Sequence, residues 1–436
     1  GATTASSTKR SDKPITAASG KLDEKIADDL ATKAEQANPD ITDFVITDNS
    51  SIGKGSLEQK FNDNIAAIQT VHKLDAENRL ATPEERQIIA RYIGWGGLSN
   101  AFDENAKGWE AKAKLLKSLL SEDDYKNAIN TVNSAFFTPT TVTRSMWDMV
   151  EKLGFKGGLV LEPSVGVGNF LGVSPKGMEN KFIGVEYDGI TSRIAQHLYP
   201  SSTIIHSGYE AMPLADNMFD LVIANPPYGS KKEIFKTKPH LNKFSIHNQF
   251  IIGNIENLKP NGIAVIVVTH SFMDAADNSA RKLVASMSNL VAAVRLPENT
   301  FKENPNTSVI TDILIFQKFD EATNAQFDQA KINLFPDWVN SGTLESKDGQ
   351  PMSFSNYFTK GKGKVIGKVV NTTNQFGGST FTVKHDGNLK ADLTQFVSEL
   401  PLLIEPNTAK SIAQKAEIDF NNATSHMIIG SSNIEV

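Results

Sequence analysis

Residues 219–226 read FDLVIANP, an apolar run that stops on Asn225, Pro226, Pro227 and Tyr228. Proline cannot donate to a ladder, so a plain strand stop is the simplest reading of this stretch. The four residues also suit chemistry on a planar amine. Such an amine is a poor nucleophile while its lone pair is delocalised. The Asn225 side-chain oxygen and the Pro226 carbonyl can each accept one of its N–H groups, which draws the nitrogen toward tetrahedral geometry. The freed lone pair can then attack an electrophilic methyl group. Pro226 and Pro227 stiffen the backbone and remove competing donors. Tyr228 offers a flat ring for a base rotated out of its stack. No deprotonation precedes attack, so this catalysis is positioning and electrostatics. The motif alone fits several planar nitrogens, including an adenine amine, a guanine amine in RNA and a glutamine amide in a protein.

A glycine loop lies upstream, in LEPSVGVGNF at 161–170. It follows an apolar run and opens a helical one, where backbone N–H groups can approach a ligand closely. Gly166 and Gly168 lack the Cβ atoms that would block that approach. A dinucleotide fingerprint asks for a small residue at 171, which is Leu171. The loop therefore suits another nucleoside-containing cofactor, with a plain strand-to-helix turn as the alternative. Glu186 closes the next strand in GVEYD, 20 residues after Gly166. An acid there can accept from both ribose hydroxyls, and Tyr187 can lie against a purine. Further upstream, Thr138 and Pro139 read as the cap and first residue of a helix that Gly154 stops. The free N–H groups at that helix start suit a carboxylate.

The strands and helices that must carry these residues are legible. GGLVLEP, KFIGVEYD, STIIHSGY, FDLVIANP, GIAVIVVTH, LVAAVRLP and TDILIFQK alternate with helical stretches between 157 and 318. This is the pattern of a parallel βαβ sheet covered on both faces. Before it, Leu57, Phe61, Ile65, Ile68, Val71 and Leu74 form one helical face. Thr82, Pro83 and Glu85 spell a capping box, and a further helix is expected over 109–120. Residues 1–40 are small and polar, with a helix expected near 21–37. The expected divisions are a flexible arm at 1–55, a helical domain at 56–130, a catalytic domain at 131–319 and a mixed region at 320–436.

Composition narrows the function classes. The 436 residues carry a net charge of −6, which argues against nonspecific coating of nucleic acid but leaves room for a local basic groove. With no cysteine, disulfides and thiolate chemistry are excluded. The eight histidines show no metal-ligand spacing, so no metal is expected. No apolar run reaches the ~20 residues of a membrane span, so no membrane partner is expected. The chain opens on Gly1 without a signal-like stretch, as a processed or excised chain would. Lys231, Lys232, Lys236, Lys238 and Lys243 follow the Asn-Pro-Pro-Tyr motif; they read either as a solvated loop or as phosphate contacts. Trp95 and His247 read as structural.

In this order, FFTP, LEPSVGVGNF, GVEYD and NPPY, with the LPENTF and TDILIFQK segments behind them, resemble S-adenosylmethionine-dependent DNA adenine-N6 methyltransferases. DNIAAIQTVHKL, ATPEERQIIARYIGWGGLSNAF, RIAQHLYP, SIHNQFI and SNYFTKGKGKVIGK extend the likeness to the large DarB-like antirestriction methyltransferases of phages and mobile elements. Those often carry a helicase, for which this chain has no GxxxxGK[ST] loop. The resemblance implies an α/β, Rossmann-like class I methyltransferase fold with a seven-stranded, mostly parallel sheet. It implies S-adenosylmethionine as cofactor and double-stranded DNA as substrate, in the host cytoplasm, with virion or restriction–modification components as partners. By the same resemblance, Asn225, Pro226, Pro227 and Tyr228 are catalytic. Phe137, Thr138, Pro139, Glu162, Pro163, Gly166, Gly168, Phe170, Glu186 and Tyr187 are assigned to the cofactor. Glu210 or Asp216 would meet its adenine. A catalytically silent DNA-binding or virion module is the non-enzymatic alternative.

Overall fold

The computed structural model describes residues 42–48, 50, 52–132, 137–229, 231–301, 309–324, 336–374 and 377–432. The helix expected near 21–37 lies outside the described residues. Of the expected arm, the stretch at 42–48 is packed. Phe44 and Ile46 are buried, and their N–H groups donate to the carbonyls of Leu198 and Gly172 at 2.8 Å each.

Helices α1 (Leu57–Glu77) and α2 (Pro83–Ile89) form where the spacing and the capping box place them. The Thr82 side chain accepts from the Glu85 N–H, and the Glu85 carboxylate accepts from the Thr82 N–H. Trp95 is buried as a packed helix end, with the rings of Phe61, Tyr92 and Phe102 at 6.3, 6.3 and 5.3 Å. Helices α3 (Glu110–Leu119) and α4 (Glu122–Thr131) follow.

Helix α5 (Thr140–Lys152) leads into the sheet. All seven expected strands form: β1 (Gly157–Glu162), β2 (Glu179–Glu186), β3 (Thr203–His206), β4 (Phe219–Ala224), β5 (Leu258–Thr269), β6 (Ser288–Arg295) and β7 (Thr311–Lys318). Short α6 (Asn169–Gly172) follows β1, α7 (Gly189–Leu198) follows β2, and α8 (Ile246–Asn257) follows β4. Residues 320 onward contribute hairpin β8–β9 (Ser341–Glu345 and Pro351–Ser355), strand β10 (Lys364–Val365) and hairpin β11–β12 (Lys368–Thr373 and Ser379–Lys384). They end in α9 (Leu389–Ser398) and α10 (Pro406–Ser432).

The sheet order is β10-β6-β7-β5-β4-β1-β2-β3, so β10 adds an eighth strand to the seven expected. β7 is antiparallel to both neighbours and the other pairings are parallel. Strand order reverses between β1 and β4, and the carboxyl ends beside that point are where such sheets bind ligands. Alternate residues face opposite layers. Val160, Leu221, Ile223 and Val265 share a core with α1, α5 and α9, whereas Leu159, Leu161, Val222 and Ile266 pack toward α8 and the β8–β9 hairpin. This is an α/β architecture, a mostly parallel sheet with helices packed on both faces.

One buried ionic cluster ties the C-terminal strands to the sheet. Arg295, at the end of β6, donates to both Asp312 carboxylate oxygens at 2.7 and 2.9 Å and to Asp274 Oδ1 at 3.0 Å, and its Nη1 forms an ion pair with Asp274 Oδ2 at 2.9 Å. The rings of Phe358, Phe354 and Phe381 lie 4.3, 4.7 and 5.8 Å from its guanidinium. Asp274 also accepts from the Ser355 N–H at 2.8 Å, and Ile366, just after β10, donates to the Arg295 carbonyl at 2.9 Å. Removing one buried partner leaves a charge without compensation, a loss of ~3–5 kcal/mol. Asp312→Ala is therefore expected to lower the urea midpoint of unfolding by a corresponding amount, whereas an exposed pair such as Lys126–Glu122 should cost about 0–1 kcal/mol when broken.

Candidate functional site

β4 delivers Asn225 to the carboxyl edge of the sheet, next to β1 and its glycine loop. Three hydrogen bonds set it in place. Its Nδ2 donates to Thr138 Oγ1 at 3.0 Å, its backbone carbonyl accepts from Ser164 Oγ at 3.1 Å, and its Oδ1 accepts from the Tyr228 hydroxyl. A carboxamide has a donor end and an acceptor end. With Nδ2 committed to Thr138, Oδ1 is the end left facing Tyr228. Burial pushes the Tyr228 hydroxyl well above its ordinary pKa, so it stays protonated and donates. Tyr228 thus holds the acceptor that an incoming amine would use, and stacking on a base requires it to release that bond.

Thr138 does this work from an unexpected position. Helix α5 begins at Thr140 with Pro139 as its cap residue, one residue later than the spacing suggested, and no side chain caps it. The Thr138 hydroxyl is turned to Asn225 instead. The Thr138 carbonyl accepts from Asn169 Nδ2 at 3.2 Å, which joins the same residue to the helix after the glycine loop. Ser164 and Asn169 stand inside LEPSVGVGNF, and their polar side chains were the available signal for these links.

Gly166 and Gly168 have φ of +56° and +81°, in the left-handed region that side chains rarely adopt. A Cβ on Gly166 would come 2.9 Å from the Phe137 ring, and one on Gly168 would come 2.3 Å from Tyr199. Phe137 also lies against Gly94, so it bridges the GWGG segment and the glycine loop. The Gly166 N–H donates to Glu186 Oε2 at 2.9 Å and the Asp188 N–H donates to Glu186 Oε1 at 2.8 Å. Asp188 in turn caps α7 through Thr191, an Asp-x-x-Thr signal present in DGIT. Desolvation pushes the Glu186 carboxyl from 4.5 up to about 7. Glu162, 3% exposed, is also pushed well above the usual carboxyl range, by burial and then by the Glu186 charge, and its Oε2 has no partner among the described residues. An unsatisfied buried carboxyl oxygen, beside a loop whose glycines seat the Phe137 and Tyr199 rings, fits a cofactor with a cationic amino end and a ribose.

Other expected residues divide. Pro163 is buried within the loop. Tyr187 is 64% exposed beside Glu186, free to lie on a ring. Phe170 is 1% exposed, its ring in the core and its carbonyl accepting from Trp147 Nε1 at 2.9 Å, so its side chain is not a cofactor contact. Glu210 is half-buried, with its carboxyl raised by desolvation. Lys238 is withdrawn from the phosphate-contact set. Its side chain is 14% exposed and paired with Asp216 at 2.5 Å and Glu256 at 2.9 Å. Lys231 pairs with Glu233 at 2.6 Å, while Lys232 and Lys236 are exposed. His247 Nδ1 lies 3.2 Å from the Gly229 carbonyl, bracing the turn after Tyr228.

A family model described as N-6 DNA Methylase matches residues 123–360, more than half of the chain and every strand of the eight-stranded sheet except β10. The chain belongs to the N-6 DNA methylase family. Its cofactor is S-adenosylmethionine. The chain is 24% identical over 259 residues to the "Defense against restriction protein B" of Escherichia phage P1, a match that covers 58% of this chain and 10% of the phage protein. It is 26% identical over 221 residues to the type II methyltransferase M.CvrRI of Paramecium bursaria Chlorella virus XZ-6E, covering 48% of this chain and 56% of that one. The chain thus spans a tenth of the first relative and just over half of the second. Among solved structures it matches the type I restriction-modification methyltransferase subunit from Streptococcus thermophilus at 14% identity and a TM-score of 0.37, covering 71% of this chain and 93% of that one. Among the described residues, no helix is long and apolar enough to cross a membrane.

The raised Glu186 carboxyl yields a pH test. Its protonated form predominates below about 7 and its ionised form, the better acceptor for two hydroxyls, above it. S-adenosylmethionine affinity, measured by calorimetry, should rise by up to roughly tenfold from about pH 6 to about pH 8, and Glu186→Gln should lose that dependence. For the cofactor-free fold the sign is opposite. A carboxyl raised above its ordinary value contributes its stability below 4.5 and loses it as pH rises through about 7.

Proposed function

We propose that the chain transfers a methyl group from S-adenosylmethionine to the N6 amine of an adenine rotated out of duplex DNA. The observation that carries this reading is the Asn225 carboxamide, fixed by Thr138 with its oxygen aimed at the Tyr228 side. Asn225 Oδ1 and the Pro226 carbonyl accept the two amine N–H groups, and the Tyr228 hydroxyl gives way as its ring takes the base. Pro226 and Pro227 keep the two acceptors at a fixed separation. When bound, S-adenosylmethionine supplies an electrophilic methyl group. Glu186 accepts from its ribose hydroxyls, Glu162 meets its amino end, and Gly166 and Gly168 admit it to the backbone. Phe137, Thr138 and Pro139 border its methionine end, and Tyr187 its purine. Asp216 is engaged by Lys238, which leaves Glu210 for the adenine amine of the cofactor.

Duplex DNA as the substrate is supported by surface charge. Lys232 and Lys236 are exposed in the loop after Tyr228, and residues 351–384 hold five lysines and no Asp or Glu; of these, Lys360 and Lys362 meet Asp337 and Lys384 meets Glu298, while Lys364 and Lys368 are exposed. Such cations position phosphates without reading sequence. Protection of the encoding element's DNA from restriction, in the host cytoplasm, is the purpose we assign, extending to this chain what the phage relative's name states of that protein. The adenine-specific class of DNA methyltransferase is the activity assigned.

The test uses tritiated S-adenosylmethionine and unmethylated duplex DNA. Wild-type protein should label the DNA. Asn225→Ala should lower transfer by roughly 10²-fold or more while cofactor affinity stays within about threefold. Loss of cofactor binding in that variant would place Asn225 in the wrong role, and unlabelled DNA with cofactor bound to the wild type would contradict the reading.

A further inference from the structure

Of the two large apolar residues in the loop segment SKKEIFKTK, Phe235 is buried and Ile234 stands out among charges. Its side chain is 69% exposed. A lone exposed isoleucine is ordinary on a protein surface. What sets this one apart is the bracing on both sides of it. The Glu233 N–H donates to Gln249 Oε1 at 2.9 Å, and the Glu233 carbonyl accepts from Gln249 Nε2 at 2.8 Å. Gln249 itself is fully buried on α8. On the other side, the Phe235 N–H donates to Asn242 Oδ1 at 2.8 Å, and the Phe235 ring is buried 5.7 Å from Tyr209. Two side-chain amides therefore pin the residues flanking Ile234 to the interior, and the isoleucine is held out between them.

The loop is also fixed to the base site. The Gly229 carbonyl meets His247 Nδ1, and the Lys231 carbonyl accepts from the Ile246 N–H at 2.7 Å, at the start of α8. Ile234 stands six positions after Tyr228, a reach of at most roughly 20 Å. The cations nearby are of two kinds. Lys231 and Lys238 are paired with acids. Lys232, Lys236 and Lys243 are exposed; Lys232 Nζ bonds the Lys243 carbonyl at 3.1 Å, and Lys243 Nζ lies 5.0 Å over the Phe244 ring. Apolar side chain and exposed ammonium groups on one braced loop match a duplex, whose base stack is apolar and whose edges are phosphate.

We propose that Ile234 is a wedge that enters the duplex beside the rotated adenine and fills the space the base leaves. It rests on the reading of the chain as a DNA adenine methylase and names the residue that pushes from outside the pocket. Rotating a base out breaks its pairing and stacking, and an apolar side chain inserted at that step offsets part of the loss. Ile234 acts on the DNA step alone and has no part in cofactor binding or methyl transfer.

The experiment uses a duplex carrying the adenine that wild-type protein is found to methylate. One version pairs it with thymine and the other places it opposite an abasic site, where little pairing has to be broken. Ile234→Ala should lower kcat/KM on the paired duplex by about tenfold or more, and recover to within about threefold of wild type on the abasic version. Ile234→Leu should keep most of the activity on both, and both variants should bind S-adenosylmethionine as wild type does. With 2-aminopurine at the target position, Ile234→Ala should lose most of the fluorescence rise that wild type produces. Equal activity of Ile234→Ala and wild type on the paired duplex would overturn the wedge alone, as would a defect that persists on the abasic version. Wild-type protein that methylates adenine in no duplex, so that no such target is found, would overturn the adenine methylase reading, and the wedge with it.

Discussion

A carboxamide without charge can serve as an acceptor only if something fixes which way it points. Here that constraint is the Asn225 Nδ2 to Thr138 Oγ1 hydrogen bond, and much of the fold can be understood as what places its two ends. β4 brings Asn225 to the carboxyl edge beside the strand-order reversal. Thr138 is held by Asn169 from the glycine loop, and its neighbour Phe137 is wedged between Gly94 and Gly166. The N-terminal helices therefore bear on the site through GWGG, since a side chain at Gly94 would displace the same ring. They are further fastened to α7 by the Arg193–Asp75 ion pair at 2.7 Å.

The second recurring theme is a pair of buried carboxyls beside the glycine loop. Glu162 and Glu186 face one another's field at the end of β1 and β2, and both carboxyls are raised by burial. Such an arrangement weakens the empty fold at neutral pH and favours a ligand bearing positive charge and hydroxyl donors. Arg295 is the opposite case. It is equally buried, but two aspartates and three aromatic rings satisfy it, so it serves to hold β8 to β12 against the sheet.

Most of the sheet was legible because its strands are apolar on both faces, which leaves runs such as GIAVIVVTH that suit little else. The α2 capping box was legible because its three residues are local. What escaped depends on distant partners. β10 is two residues long and exists through its pairing with Val294 and Arg295. Lys238 read as a free cation because Asp216 and Glu256 stand 22 and 18 residues away. Thr138 read as a helix cap because nothing local announces Asn225, 87 residues on. Phe170 read as a cofactor contact by its motif, while its ring had been taken by the core. The chemistry-bearing residue types were visible in sequence; which of them were already committed to one another was not.

The central claim is that the amine held by Asn225 belongs to adenine in duplex DNA. Its most direct test is nucleoside mass spectrometry of duplex DNA treated with the wild-type chain and S-adenosylmethionine. N6-methyldeoxyadenosine as the one new nucleoside is the predicted result. A methyl group found on cytosine, or on protein or RNA with the DNA unmodified, would contradict it.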